Sequence, residues 1–405
     1  MEKQYVNTER AHFMCPNMHF GILVTSDAVY NYERVNKVLM ELANAHPFLR
    51  SRIQKETNGI TLFYSIYDTM QIDVQEQNSQ KSVIDDYNEI SKEEWNVFEH
   101  GLLKVYLYPM NNEFKALFIS HHLLGDGCCL LELVNEFVNT YVGSSKPNYV
   151  EECLIRGISD LPPKSELSGV SKLLVLRLNK QWRKENKTVS YEEYQQFAHK
   201  FAKENPVTYE ITTLEKEKLD SIRRECKENK ITINDYLMAG LYLESGTKKI
   251  IIAANIRDKL RNYRKGAMGN YATAMGIVCK DNRKDLIQKA KKVHQQVKKH
   301  RSSNRKLMLI LSCYLTMDQT LIDAAAIAAL GNFESKAAKF VGSNMFGFSK
   351  RDGYSITNLG AIDNPHIKEA VFLPPASPAT RKTIGVLTVN GRMQLCSCTY
   401  TNASL

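Results

Sequence analysis

The chain has 405 residues, 43% of them hydrophobic and 24% charged, with a formal net charge of +10. This composition excludes a wholly disordered protein, and the length exceeds what one hydrophobic core usually serves, so two domains are expected. The basic excess favours anionic partners (a phosphate-bearing substrate, nucleic acid or an acidic membrane face) and carries no information about fold.

The first residues, 1–13, are polar and charged and lack the apolar core of a signal peptide. Val35, Val38, Leu39 and Leu42 recur at helical spacing, and their helix is predicted to stop before Pro47. Residues 114–120 form a short apolar run suited to a buried strand. Leu130, Leu131, Val134, Phe137, Val138 and Tyr141 then mark one helix face, so residues 114–141 read as strand, tight turn, helix. Gly143, Ser144, Ser145 and Pro147, with Pro162 and Pro163 beyond them, mark the connection between two halves, residues 1–165 and 166–405.

The second half restarts with a strand near residues 207–211. Thr212 and Glu215 have the spacing of a capping box, predicted to open a helix that buries Leu219, Ile222 and Cys226. Another helix is expected to start near Thr232 or Asn234, and residues 250–254 are a strongly apolar strand. Residues 307–330 are the most apolar stretch. Asp318 and Asp323 interrupt it, and the run before Asp318 falls short of the roughly 20 residues that span a bilayer. A buried or pocket-lining helix is expected there, and no membrane span. Asn390-Gly391 is the turn of a hairpin over residues 383–400. A strand-helix-strand theme in both halves suggests a pseudo-dimer with a cleft between them.

The nine cysteines, at positions 15, 128, 129, 153, 226, 279, 313, 396 and 398, include no Cys-x-x-Cys pair. Their odd number and wide spacing speak against a zinc ribbon and a disulfide framework, and favour a reducing, cytoplasmic setting.

One segment stands out for chemistry: His121-His122-Leu123-Leu124-Gly125-Asp126-Gly127. It ends an apolar strand and begins a helix. Successive strand side chains face opposite ways, so the two histidines should not converge on one metal ion, and no metal site is expected. Gly125 and Gly127 permit positive φ and close approach. Asp126 is placed to be held by a cation rather than to react. A tight turn with two satisfied histidines would also account for the segment. Cys128 and Cys129 stand at the helix start, where a thiol pKa can be lowered, but packing beside Leu130 and Leu131 is the expected fate.

The segment resembles the His-His-x-x-x-Asp-Gly signature of the coenzyme A-dependent acyltransferase superfamily. That group includes chloramphenicol acetyltransferases, condensation domains of nonribosomal peptide synthetases, plant BAHD acyltransferases, wax ester synthases and bacterial alcohol acetyltransferases. Weaker echoes follow in order over most of the chain. His46-Pro47-Phe48-Leu49-Arg50 looks like the segment after the family's first helix, Asn255-Ile256-Arg257 like its Asn-x-Arg, and Gly269-Asn270-Tyr271 like its Gly-Asn-aromatic step. Thr357-Asn358-Leu359-Gly360 looks like the turn of the alcohol acetyltransferase and condensation-domain branch. The plant branch's Asp-Phe-Gly-Trp-Gly is absent, as are an adenylation domain and a Gly-x-Asp-Ser carrier site.

The resemblance implies an α/β fold of two chloramphenicol-acetyltransferase-like subdomains, forming a pseudo-dimer with a tunnel between them. It implies acyl transfer from acyl-coenzyme A to a small-molecule alcohol or amine, in a monomer, with no metal and no nucleic acid. His122 would be the general base. Asp126 and Gly127 would complete the catalytic motif, with Asp126 turned away to pair with Arg257 and with His121 in support. Asn255, Asn270, Thr357 and Asn358 would lie on the substrate side, Thr357, Asn358 and the backbone near Gly127 being candidate oxyanion donors. Two basic clusters are candidates for the coenzyme A phosphates: Arg257 with Lys259, Arg261, Arg264 and Lys265, and the lysines and arginine of residues 291–301. Two other readings stay open: a free-standing condensation-type enzyme with a carrier-protein-bound donor, and a catalytically silent binding protein of the same fold.

Overall fold

In the computed structural model, which describes residues 3–77, 81–280 and 284–401, the strand Phe114–His121 is the middle member of a five-stranded sheet. Its run of buried residues suits a strand covered on both faces. The strand order is Ile367–Leu373, His19–Ser26, Phe114–His121, Leu103–Pro109 and Asp73–Glu76, and the last pair alone is parallel. Phe20, Ile22, Val24 and Phe118 join the main core with residues of the helices Tyr32–Ala45 and Gly127–Val142. The first helix begins at the cap Asn31, whose side chain accepts from the Arg34 N–H, and ends just before Pro47 as its pattern requires. Leu117 and Ile119 belong to a second cluster with Tyr87, Tyr106, Val371 and Cys396.

The second sheet has six strands in the order Val207–Leu214, Arg392–Tyr400, Thr380–Val389, Gly353–Ile362, Lys249–Asn255 and Ala272–Val278. Gly353–Ile362 runs parallel to both of its neighbours. Asn390 and Gly391 turn the hairpin with φ of 49° and 82°, the two positive values that a tight primed turn needs. Ile250, Met275, Ile356 and Val386 of this sheet form a core with Leu219, Met238 and Leu241.

The halves exchange structure. Ile367–Leu373 comes from the last part of the chain but pairs antiparallel with His19–Ser26 in the first sheet. The chain then returns to the second sheet as Thr380–Val389. Residues 143–157 have no regular secondary structure; the stretch 143–149 is mostly exposed, and residues 150–155 are packed. The Cys153 carbonyl accepts from the Tyr271 hydroxyl at 3.3 Å, and Glu152 is 1% exposed.

Two details depart from the sequence expectation. Thr212 does not open a helix: it pairs with Leu395 within the strand Val207–Leu214, and the next helix, Lys216–Glu228, starts at Glu215 with no side-chain cap. Eight-residue pairing with Arg392–Tyr400 outweighs a local cap that needs a bend at Thr212. The capping box lies instead at Thr232 and Asp235, at the start of Ile233–Ser245.

Residues 307–330 are not one helix either. They span the end of Asn304–Leu307, then Leu309–Thr316 and Gln319–Leu330. Asp318 caps the last of these, and Asp323 is buried in an ion pair with Arg10. With Gly169–Glu185 and Lys336–Phe340, the latter two helices form an all-helical layer around Trp182, Leu321 and Ala325. Among the described residues no helix is long and apolar enough to cross a membrane. All nine cysteines are free thiols.

Candidate active site

The loop after Phe114–His121 sits where the halves meet. His19 and His121 are cross-strand partners, and the His122 N–H donates to the Met18 carbonyl at 2.8 Å, so the end of the sheet fixes both histidines. Their rings diverge, as alternation along a strand requires. His121 turns edge-on to Trp95, with ring centroids 5.7 Å apart, and its Nδ1 accepts from the Leu123 N–H at 3.2 Å. Burial, with His19 and His122 nearby, pushes its pKa down to about 3. It borders a cavity of about 100 Å³ with His19, Trp95 and Tyr194.

His122 points the other way. His12 stacks on it with centroids 4.1 Å apart and planes within 8°, and Phe20 meets it edge-on at 4.9 Å. Asn270 holds it at two points, and together they fix its proton. The His122 carbonyl can only accept, so the amide atom 2.8 Å from it is the Asn270 Nδ2. The atom 2.9 Å from His122 Nδ1 is then Asn270 Oδ1, which requires a hydrogen on that nitrogen. Neutral imidazole in this tautomer keeps the lone pair of Nε2 for other use. Burial pushes the His122 pKa below the ordinary imidazole value, while the Asn270 hydrogen bond and the Asp126 charge pull it back up. The lowered pKa favours the neutral ring near pH 7.

Asp126 is fully engaged through both of its carboxylate oxygens. Arg257 grips it with two parallel hydrogen bonds of 2.8 and 3.0 Å, and it also accepts from the Tyr271 N–H at 2.8 Å and the Cys129 N–H at 3.0 Å. Its own N–H donates to Gly269. Asp126 and Arg257 are 5% and 8% exposed, so this pair is shielded from water and bidentate, the strong form of such a contact. Asp126 therefore does two jobs: it caps the helix Gly127–Val142 and ties that helix to the second half of the chain.

The glycines act through space rather than through unusual torsion. Neither Gly125 nor Gly127 has a positive φ, contrary to one reading of the motif. A Cβ on Gly127 would come within 2.7 Å of Leu359, in the Thr357–Gly360 segment, so the glycine lets that segment close on the helix start. Gly269 is where backbone conformation decides: its φ is +147°, and a Cβ would meet Leu154 at 2.8 Å. That residue delivers Asn270 and Tyr271 to the loop.

The other anticipated residues divide. Asn270, expected to meet substrate, has both side-chain polar atoms on His122 instead. Asn255 is exposed and accepts from the Arg257 N–H at 3.0 Å, shaping the turn that aims the arginine. Asn358 donates to Asn234 at 2.7 Å and accepts from the Gly360 N–H at 2.8 Å, so its side chain holds a turn. Thr357 is partly buried in Gly353–Ile362, opposite Gly385. Arg257 is lost to the first basic cluster because Asp126 occupies it, and Arg264 of that cluster pairs with Glu151 at 3.1 Å. Burial and the Asp126 charge push the Cys128 thiol up to about 12, which removes it as a nucleophile at neutral pH. His12 and Phe20 went unforeseen: one histidine in a polar N-terminal stretch carries no spacing signal. Among the described residues no cluster of three or more His, Cys, Asp or Glu could hold a metal ion.

The condensation-domain family model matches residues 19–152, the segment that holds this loop. Among curated proteins none matches the chain. The trichothecene 15-O-acetyltransferase of Fusarium sporotrichioides is 12% identical over 97% of this chain and 89% of its own, with a TM-score of 0.62. Polyketide synthase associated protein 5 of Mycobacterium tuberculosis is 11% identical over 99% and 95%, with a TM-score of 0.61. The epimerization domain of the third module of tyrocidine synthetase B is 13% identical over 95% and 86%, with a TM-score of 0.60. These identities speak to fold. The fold is that of the two-lobed condensation domains. It is the α/β, chloramphenicol-acetyltransferase-like pseudo-dimer, and the His121–Gly127 loop lies where its lobes join.

Proposed function

We propose that this chain is an acyltransferase that moves an acyl group from a thioester to a hydroxyl or amine, with His122 as general base. The observation that carries the reading is the Asn270 clasp, which leaves Nε2 of His122 as an unprotonated base in a ring held by Asn270, His12 and Phe20. In the reaction, Nε2 takes the proton of the acceptor O–H or N–H. The freed pair attacks the thioester carbonyl, the C–S bond breaks, and the departing thiolate takes the proton back from His122. No acyl-enzyme is needed when both substrates meet at His122. Asp126 and Arg257 keep the loop in shape and do not touch the substrate. The backbone N–H groups near Gly127 and the Thr357 hydroxyl are the candidate oxyanion donors.

The donor in this reading is acyl-coenzyme A, with a small alcohol or amine as acceptor. A second reading, a carrier-protein-bound acyl donor, is favoured by the condensation-domain match over residues 19–152. The exposed lysines of Leu286–Arg301 offer a basic surface for either donor.

The test is thiol release from acetyl- and longer acyl-coenzyme A with a panel of alcohols and amines, wild type beside His122→Ala. Acceptor-dependent release should fall by roughly two to four orders of magnitude in the variant. Release at the wild-type rate by a folded His122→Ala protein would sink the mechanism. Release only from acyl-carrier thioesters would select the second reading, and silence with both donors would leave a binding protein of this fold.

A further inference from the structure

The helix Gly169–Glu185 buries Val175, Leu178 and Trp182 in the all-helical layer and turns a second apolar row outward. Val170 is 83% exposed, and Leu173, Leu174 and Leu176 are 49%, 40% and 48% exposed. Four exposed aliphatic side chains within two turns form a patch, unlike the scattered apolar residues of an ordinary surface. The helices Leu309–Thr316 and Lys336–Phe340, which pack against this one, add exposed Leu309 and Phe340.

Charge continues the same stripe. Val170, Leu173, Arg177, Lys180 and Lys184 follow one another at alternating spacings of three and four, which puts them on one helix face opposite Val175, Leu178 and Trp182. The outward face is therefore aliphatic in its first two turns and basic beyond them. The helix has a single acidic residue, Glu185, and it is turned inward to the Ser335 hydroxyl and the Ala337 N–H.

We propose that this face docks the protein on the surface of an anionic lipid membrane. The aliphatic residues enter the boundary between headgroups and acyl chains, and Arg177, Lys180 and Lys184 reach the lipid phosphates along their flexible stems. A second copy of this chain would cover the aliphatic turns but leave Arg177, Lys180 and Lys184 without an anionic partner, because the helix's single acidic residue, Glu185, is turned inward. Nucleic acid would have no use for the leucines, and the one aromatic residue of this helix, Trp182, is buried away from any base. The proposal concerns attachment alone and is independent of the acyl-transfer reading.

The test is co-sedimentation of the full chain with vesicles of phosphatidylcholine mixed with phosphatidylglycerol, beside vesicles of phosphatidylcholine only. Wild type should sediment with the mixed vesicles, weakly with the neutral ones, and less as salt rises. R177Q/K180Q should weaken the affinity roughly fivefold for each basic side chain neutralised. L173S/L174S should weaken it about tenfold or more. The substituted side chains are exposed, and circular dichroism checks that the fold is intact. No sedimentation of wild type with mixed vesicles at low salt overturns the proposal, as does equal binding by wild type and both variants. A wild-type dimer in light scattering that becomes a monomer as L173S/L174S overturns it in favour of a second copy.

Discussion

Two buried arginine–aspartate pairs flank His122, and they differ in what surrounds the carboxylate. Asp126 meets Arg257 and also two backbone N–H groups, from Tyr271 and Cys129. Asp323 meets Arg10 at 2.5 and 2.7 Å, deep in the mostly apolar helix Gln319–Leu330. The first pair ties the motif loop to the segment that delivers Asn270. The second ties the N-terminal segment, two residues before His12, to the helical layer. One pair thus secures the hydrogen-bonding edge of His122 and the other its stacked face. The residual partners decide how each site responds to losing its arginine. Without Arg10, Asp323 loses both of its hydrogen bonds, and burial then favours its protonated form.

The largest effect is expected at Arg257. Arg257→Ala leaves Asp126 buried and only half satisfied, and should destabilise the protein by about 3–5 kcal/mol in denaturant unfolding. Asp126→Ala should add much less in the Arg257→Ala background than alone, since the two act as one unit. Additive costs would break the claim that they are coupled. Arg10→Ala should cost less, about 2 kcal/mol, because Asp323 has an escape. Burial already raises its pKa above the ordinary carboxylate value, against the pull of Arg10. Removing Arg10 raises it further, so the folded state then holds a proton that the unfolded chain releases as pH climbs. Stability is lost in that direction. The cost of Arg10→Ala should thus grow as pH rises from the acid side toward neutral and shrink as it falls. A cost of Arg10→Ala that does not change with pH would refute this reading of Asp323.

These two pairs also mark how far sequence reaches. Asp126–Arg257 was legible because the loop lies between a recognisable strand and helix, and Arg257 follows another apolar strand in a matching motif. Arg10–Asp323 was not legible, since Asp323 reads only as a charge interrupting residues 307–330. The same limit hid the strand Ile367–Leu373. Its apolar run announces a strand but not the sheet it joins, and the partner, His19–Ser26, lies near the other end of the chain. Local turn chemistry was legible at Asn390-Gly391 and misread at Thr212, where cross-strand pairing overrode a plausible cap. Asn270 was found by motif, but its contact is with His122 itself, a distinction that needs the geometry of Gly269.

The smallest effect separates the two sides of His122 most cleanly. Catalysis needs the neutral ring, so kcat/KM should fall as pH drops through the His122 pKa. Burial places that limb below the ordinary value of roughly 6.5. His12 supplies part of the burial by covering one face of the ring at 4.1 Å. His12→Ala opens that face to water, which relaxes the desolvation that disfavours imidazolium. The acid limb should therefore move up toward the ordinary value while kcat/KM on the plateau drops roughly tenfold through lost orientation. His12→Phe restores a stacked, apolar cover and should return both the limb and the plateau toward wild type. A limb that stays in place in His12→Ala would mean that the Asn270 side alone sets the protonation of the base, and that the stacked face contributes packing only.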